Sequence, residues 1–149
     1  MATVWFYQIQ RTSLEAELPR LLERTLQSGR RALVVTGSQA RAEALAEHLW
    51  TYDERGFLPH GTARDGRAAE QPVYLAAEAA NANAAQFLFL VDGAVEADWQ
   101  AFERCHLVFD GRDAAALAAA RSTWKALKAA GHELAYWRQK EAGGWEKAG

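Results

Sequence analysis

Two rhythms of apolar residues alternate along this chain. Thr3 to Ile9 is dominated by β-branched and aromatic residues, which predicts a strand. Leu14, Leu18, Leu21, Leu22 and Leu26 then recur at three- and four-residue spacing, the mark of one helical face, and Gly29 is placed to close that helix. Thr12-Ser13-Leu14-Glu15 spells a capping box in which Glu15 reaches back to the backbone at Thr12. Pro19 either kinks the helix or marks its first turn. Arg31 to Thr36 reads as a buried strand, and Ser38 caps a helix carrying Ala42, Leu45, Leu49 and Trp50. From Thr51 to about Pro72 there is no period but much Gly, Pro and charge, a loop of the length that is commonly functional or mobile.

Further strands are expected at Val73 to Ala76, Phe87 to Val91 and His106 to Phe109, with a helix around Val95 to Arg104 between the last two. Asp113 caps a long helix to Ala130, which Gly131 ends, and Glu133 to Trp137 adds an edge strand. Residues from about 139 onward, including Gly143-Gly144-Trp145-Glu146-Lys147, form a tail with no assigned role. Strands alternating with helices imply a mainly parallel sheet covered on both faces, so residues 1–149 are read as a single three-layer α/β domain.

Composition narrows the class. Half the residues are apolar and 24% are charged, values of an ordinary globular protein. The formal net charge of -2 gives no global signal of phosphate-backbone binding, so a local patch would have to supply it. Direct DNA binding through a basic helix face is the weaker alternative, and contact with DNA is expected to be indirect. One cysteine, Cys105, excludes an intrachain disulfide and a cysteine-based zinc site. Neither a signal peptide nor a run approaching the roughly 18 apolar residues of a membrane span is visible, so a cytoplasmic location without membrane contact is expected.

The fold class invites a nucleotide site, yet Thr36-Gly37-Ser38-Gln39-Ala40 contains neither GxGxxG nor GxxxxGK[ST], so no phosphate-binding loop is present. Asp92 and Asp110 each follow an apolar strand. Paired carboxylates there could hold Mg²⁺, and with Asp98 they define the alternative of a nucleotide- or Mg-dependent enzyme. An Asp-Gly pair is also a standard turn. His48, His60, His106 and His132 have no metal-ligand spacing, so no metal, cofactor or catalytic residue is assigned.

The last helix carries more information. With Leu117 at zero and about 100° per residue, Trp124 falls near 340°, Lys128 near 20°, Arg121 near 40° and Lys125 near 80°. An indole and three cations therefore share one face, while Ala119, Thr123, Ala126, Leu127 and Ala130 form the arc expected to meet the sheet. The face is either a solvated basic stripe or a docking site for an acidic segment with an apolar anchor. Trp50, Tyr52 and Phe57 form a second aromatic cluster at the edge of the long loop.

Leu49-Trp50-Thr51-Tyr52-Asp53, Phe57-Leu58-Pro59-His60-Gly61, Gln71-Pro72, Ala120-Arg121-Ser122-Thr123-Trp124-Lys125 and Gly131-His132-Glu133-Leu134, with the opening Phe6-Tyr7, resemble the chi subunit family of bacterial DNA polymerase III holoenzyme. The resemblance implies a Rossmann-like fold without a working nucleotide site, and a non-catalytic accessory subunit of the clamp-loader assembly in DNA replication. It implies two partners, the psi subunit and the acidic C-terminal tail of single-stranded-DNA-binding protein, with a repair helicase as a further candidate. Arg121, Trp124 and Lys125 match the family's tail-binding helix, and Lys128 is added from the helical wheel. Trp50, Tyr52, Phe57, Leu58, Pro59 and His60 match the region associated with psi.

Overall fold

A computed structural model of the protein describes residues 2–51, 58–78, 80–93 and 97–149. Its framework is one eight-stranded sheet with three helices. The strands are β1 (Thr3–Ile9), β2 (Ala32–Val35), β3 (Gly61–Thr62), β4 (Val73–Ala76), β5 (Phe87–Leu90), β6 (Arg104–Asp110), β7 (Glu133–Gln139) and β8 (Trp145–Lys147). They lie in the order β3-β4-β2-β5-β6-β1-β7-β8. Every pairing is parallel except β7 with β8. Helices α1 (Leu14–Gln27) and α2 (Gln39–Thr51) cover one face, where Leu18, Leu22 and Leu45 meet Ile9, Val34 and Phe89. Helix α3 (Ala114–Ala129) covers the other, with Ala120 and Leu127 against Val4, Phe6 and Leu107. The expected three-layer, mainly parallel α/β architecture is the one observed.

Inner strands β2 and β5 are buried along their whole length, which is why they read as continuous apolar runs rather than alternating ones. At the centre of the sheet His106 is 2% exposed and stacks on Phe89 at 4.2 Å. Its Nδ1 lies 3.0 Å from the Leu88 carbonyl and its Nε2 accepts from Arg104 Nε at 2.9 Å, which fixes the neutral ring with its hydrogen on Nδ1. Burial, helped by the nearby Arg104 charge, lowers its pKa from 6.5 to about 3. Burial also pushes the Cys105 thiol up to about 12, so it packs as a small apolar residue.

Several expectations need correction. The cap of α1 is Ser13, whose hydroxyl accepts from the Ala16 amide, and Glu15 pairs with Arg41 instead of reaching back. Pro19 sits inside α1, which already begins at Leu14, so it does not mark the helix's first turn. It lacks the N–H that would bond the Glu15 carbonyl four residues earlier, and His48 Nε2 of α2 donates to that carbonyl at 2.8 Å. A helix reaching Arg104 does not form. Described residues 97–103 hold one 3₁₀ turn, Trp99–Ala101, and Arg104 already opens β6; Val95 lies outside the described residues. In the long segment before Pro72, Gly61–Thr62 pairs with β4 and is buried, because its backbone completes the sheet edge. Strand β7 is an inner strand, since residues of the supposed tail fold back as β8 and pair with Trp137 to Gln139.

Candidate functional site

Helix α3 begins at Asp113, whose carboxylate accepts from the Ala115 and Ala116 amides. Its alanine-rich first turns let it approach the sheet closely, seated on Ala116, Ala120 and Leu127. The arc expected to meet the sheet is therefore rotated. Ala126 and Ala130 are exposed, and Leu127 is the only residue of that arc that is fully buried. The rotation leaves Trp124 half-buried on the flank of the packed face. Its ring meets Phe6 of β1 edge-on at 5.2 Å and Tyr136 of β7 at 5.6 Å.

Between that flank and the end of β7 lies a groove of about 520 Å³. Trp124 and Tyr136 form its apolar part, and Arg121, Lys125 and Arg138 bring three positive charges. Gln8 and Gln10 line its polar end, and residues 148–149 its rim. The structure thus brings together Arg121, Trp124 and Lys125, whereas Lys128 is exposed on α3 but does not line the groove. Among the described residues, the ion pairs engage Arg20, Arg30, Arg41, Arg64, Arg67 and Arg112, and none engages the three groove cations. Burial raises the pKa of the Tyr136 hydroxyl, and the positive charges of Arg121 and Arg138 act against that rise. That hydroxyl donates to Gln8 Oε1. Gln8 occupies space that only a glycine at 111 leaves, since a Cβ there would stand 2.5 Å from the Gln8 side chain.

Tyr136, Arg138, Gln8 and Gln10 were not picked out by the sequence reading. The signal was faint: in a strand, Tyr136 and Arg138 point to one face because they are two residues apart. Nothing local says that this face looks toward α3.

The second candidate surface divides in two. Trp50 on α2 is 55% exposed, the exposed large hydrophobic among the described residues. Its ring leans on His60 at 4.3 Å. His60 is 4% exposed, with Nδ1 2.6 Å from the Leu58 carbonyl and Nε2 2.8 Å from the Ala46 carbonyl. Leu58 is buried as well and Pro59 is half-buried. Leu58 and His60 are thus buried instead of offering contact surface, and His60 supports the Trp50 ring. Tyr52 and Phe57 lie outside the described residues.

Asp92 and Asp110 do line one cleft, at the carboxyl ends of the strands. Each is already held by a guanidinium: Arg41 Nε reaches Asp92 at 2.8 Å and Arg112 Nε reaches Asp110 at 2.9 Å. Arg112 holds the Asp110 carboxyl below its ordinary pKa. Asp98 is exposed ahead of the 3₁₀ turn and does not line this cleft. No group of three or more metal-ligating side chains occurs among the described residues. The turn before α2 is closed on itself, with Thr36 Oγ1 bonded to the Ser38 carbonyl and Ser38 Oγ accepting from the Arg41 amide. No helix among the described residues is long and apolar enough to cross a membrane.

Comparison with known proteins gives two findings. Residues 1–135 match the family described as DNA polymerase III chi subunit, HolC. A relative from Rickettsia prowazekii (strain Madrid E), named "Probable DNA polymerase III subunit chi", is 34% identical over 88 residues. The aligned stretch covers 57% of this chain and about half, 53%, of that relative's length.

Proposed function

The chain belongs to the DNA polymerase III chi subunit family, and from that premise we propose that it is a non-catalytic accessory subunit of the replicative polymerase that links psi to single-stranded-DNA-binding protein. The acidic C-terminal tail of single-stranded-DNA-binding protein lies in the α3 groove. Arg121 and Lys125 hold its carboxylates, and Trp124 walls a pocket for its last apolar side chain. The observation that carries this reading is a half-buried indole ringed by cations that no carboxylate among the described residues engages. Such a surface complements an anionic chain end with an apolar anchor, and Trp and Arg are residue types that dominate binding hot spots.

The magnitudes are consistent with a modest, reversible contact. Burying a Phe-sized side chain is worth about 1.5–3 kcal/mol, and each charge-assisted hydrogen bond adds about 1.5–3 kcal/mol. Ordering a flexible tail takes back several kcal/mol. The remainder corresponds to roughly micromolar affinity for one tail, and several tails on one oligomer would raise it by avidity. Psi docks around Trp50, on the opposite face of the sheet from α3, with Leu58, Pro59 and His60 shaping the surface below it. Tyr52 and Phe57 belong to the same proposed surface by their place in the family motif. The two partners can then be held at once.

Calorimetric titration of a tail peptide tests the central claim. Arg121→Ala is expected to weaken binding by about tenfold or more, the loss of one charge-assisted contact. Unchanged affinity would remove α3 from the account.

A further inference from the structure

Helix α3 supplies only one side of the groove. The opposite side comes from the β7–β8 hairpin through Tyr136 and Arg138 of β7 and through residues 148–149 that follow β8, all beyond residue 135, where the match to the family stops. We propose that this hairpin is a built second wall of the acidic-tail site, with Arg138 as a further anion-holding residue and Tyr136 as the far wall of the apolar pocket. The inference rests on the tail-binding reading and extends it to residues outside the family-matched stretch.

Three sets of contacts fix the hairpin against the groove. In the parallel register of β1 and β7, Phe6 stands beside Tyr136 and Gln8 beside Arg138, so both β7 side chains project to the α3 side with Phe6. The Tyr136 ring stacks on Phe6 at 6.1 Å and 9°, and its hydroxyl is tied to Gln8. One residue beyond Arg138, the buried Gln139 acts as a clamp. Its Oε1 accepts from the amides of Gln10, Arg11 and Thr12 at 3.1, 2.8 and 3.3 Å, and its Nε2 donates to Thr12 Oγ1 at 2.8 Å. The clamp holds the end of β7, and with it the backbone of Arg138, against the chain leaving β1. After β8 the chain stays alongside Tyr136. The Ala148 amide donates to the Tyr136 carbonyl at 2.7 Å and the Tyr136 amide donates to the Gly149 carbonyl at 3.0 Å. The backbone at Gly149 is thereby set beside the Trp124 ring edge, where a Cβ would lie 3.9 Å from it.

Arg138 is exposed, and no ion pair among the described residues occupies it. It lines the same groove as Arg121 and Tyr136, Arg121 coming from α3 and Arg138 from β7. An anion between these two guanidiniums would be gripped from both walls, and an apolar side chain beside it would sit between Trp124 and Tyr136. The matching occupant is an acidic peptide with an apolar residue at or near its end, bound in an extended form along the groove.

The test titrates the full chain and its variants with an acidic peptide ending in phenylalanine, following intrinsic tryptophan fluorescence and calorimetry. Arg138→Ala is expected to weaken binding about three- to tenfold and to flatten its salt dependence. Arg138→Lys should recover most of the affinity, and Arg138→Glu should abolish measurable binding, while thermal melting of all three stays close to that of the unchanged protein. If Arg121→Ala weakens binding but Arg138→Ala and Arg138→Glu leave it intact, the hairpin wall is refuted and the α3 reading stands. If the unchanged protein does not bind the peptide, both fall together.

Discussion

At the scale of single residues, the clearest consequence of the fold is His106. From its sequence context, between Cys105 and Leu107, it is one of four scattered histidines. In the structure it is walled by Phe89, Phe87, Tyr7 and Trp5, with both ring nitrogens bonded. The ring stays neutral in the fold down to about pH 3, whereas its ordinary pKa is 6.5. Between those values the unfolded chain binds a proton that the folded chain does not. Stability from this residue is therefore whole above about pH 6.5 and is lost as pH falls toward 3, on the order of a few kcal/mol. Denaturant unfolding from pH 7 to 4 should show this decline, and His106→Gln should reduce its slope. The ring resonances of His106 should not titrate over that range in the native protein; a midpoint near 6 would contradict the burial argument.

Elements show how one residue's defect becomes another's function. Pro19 in α1 leaves the Glu15 carbonyl without its helical partner, and His48 of α2 supplies the donor. Glu15 also sends its carboxylate to Arg41 of α2, and the hydrogen bond from Arg41 keeps that carboxyl below its ordinary pKa. The proline thus becomes a cross-helix link. Removing the donor in His48→Ala should cost about 1 kcal/mol, the usual net worth of such a hydrogen bond. In a Pro19→Ala background the helix regains its own N–H, so the same substitution should cost less. A double-mutant cycle on urea midpoints measures the difference, and simple additivity would show that His48 does not compensate for the proline.

On the scale of the whole molecule, charge is distributed against its sum. The net charge is -2, yet three cations gather around one groove while many other arginines are paired. Binding there should weaken with added salt, because exposed charges lose their reach as the screening length falls from about 30 Å at 0.01 M to about 8 Å at 0.15 M. Tail-peptide affinity measured across that range should drop several-fold in the unchanged protein. A flat salt profile would mean that the contact is mainly apolar and that Trp124, not the cations, carries it.

Much of this was legible in the residues themselves. Strand β1 and strand β4 were bounded correctly, because β-branched and aromatic runs satisfy local backbone preference and burial together. Asp113 and Ser38 announced their helices, because capping is settled within four residues. The shared face of Arg121, Trp124 and Lys125 followed from helical geometry alone. What the sequence could not determine was how far α3 is rolled on the sheet, which sets Trp124 half under cover and leaves Lys128 outside the groove. Nor could it determine that β7 would lie inside the sheet with Arg138 on the α3 side, or that Leu58 and His60 would be buried. The reason is physical. Periodicity and caps are local and fix which residues share a face, whereas the partner of that face depends on strand order and packing between residues more than a hundred positions apart, as with Gln8 and Tyr136.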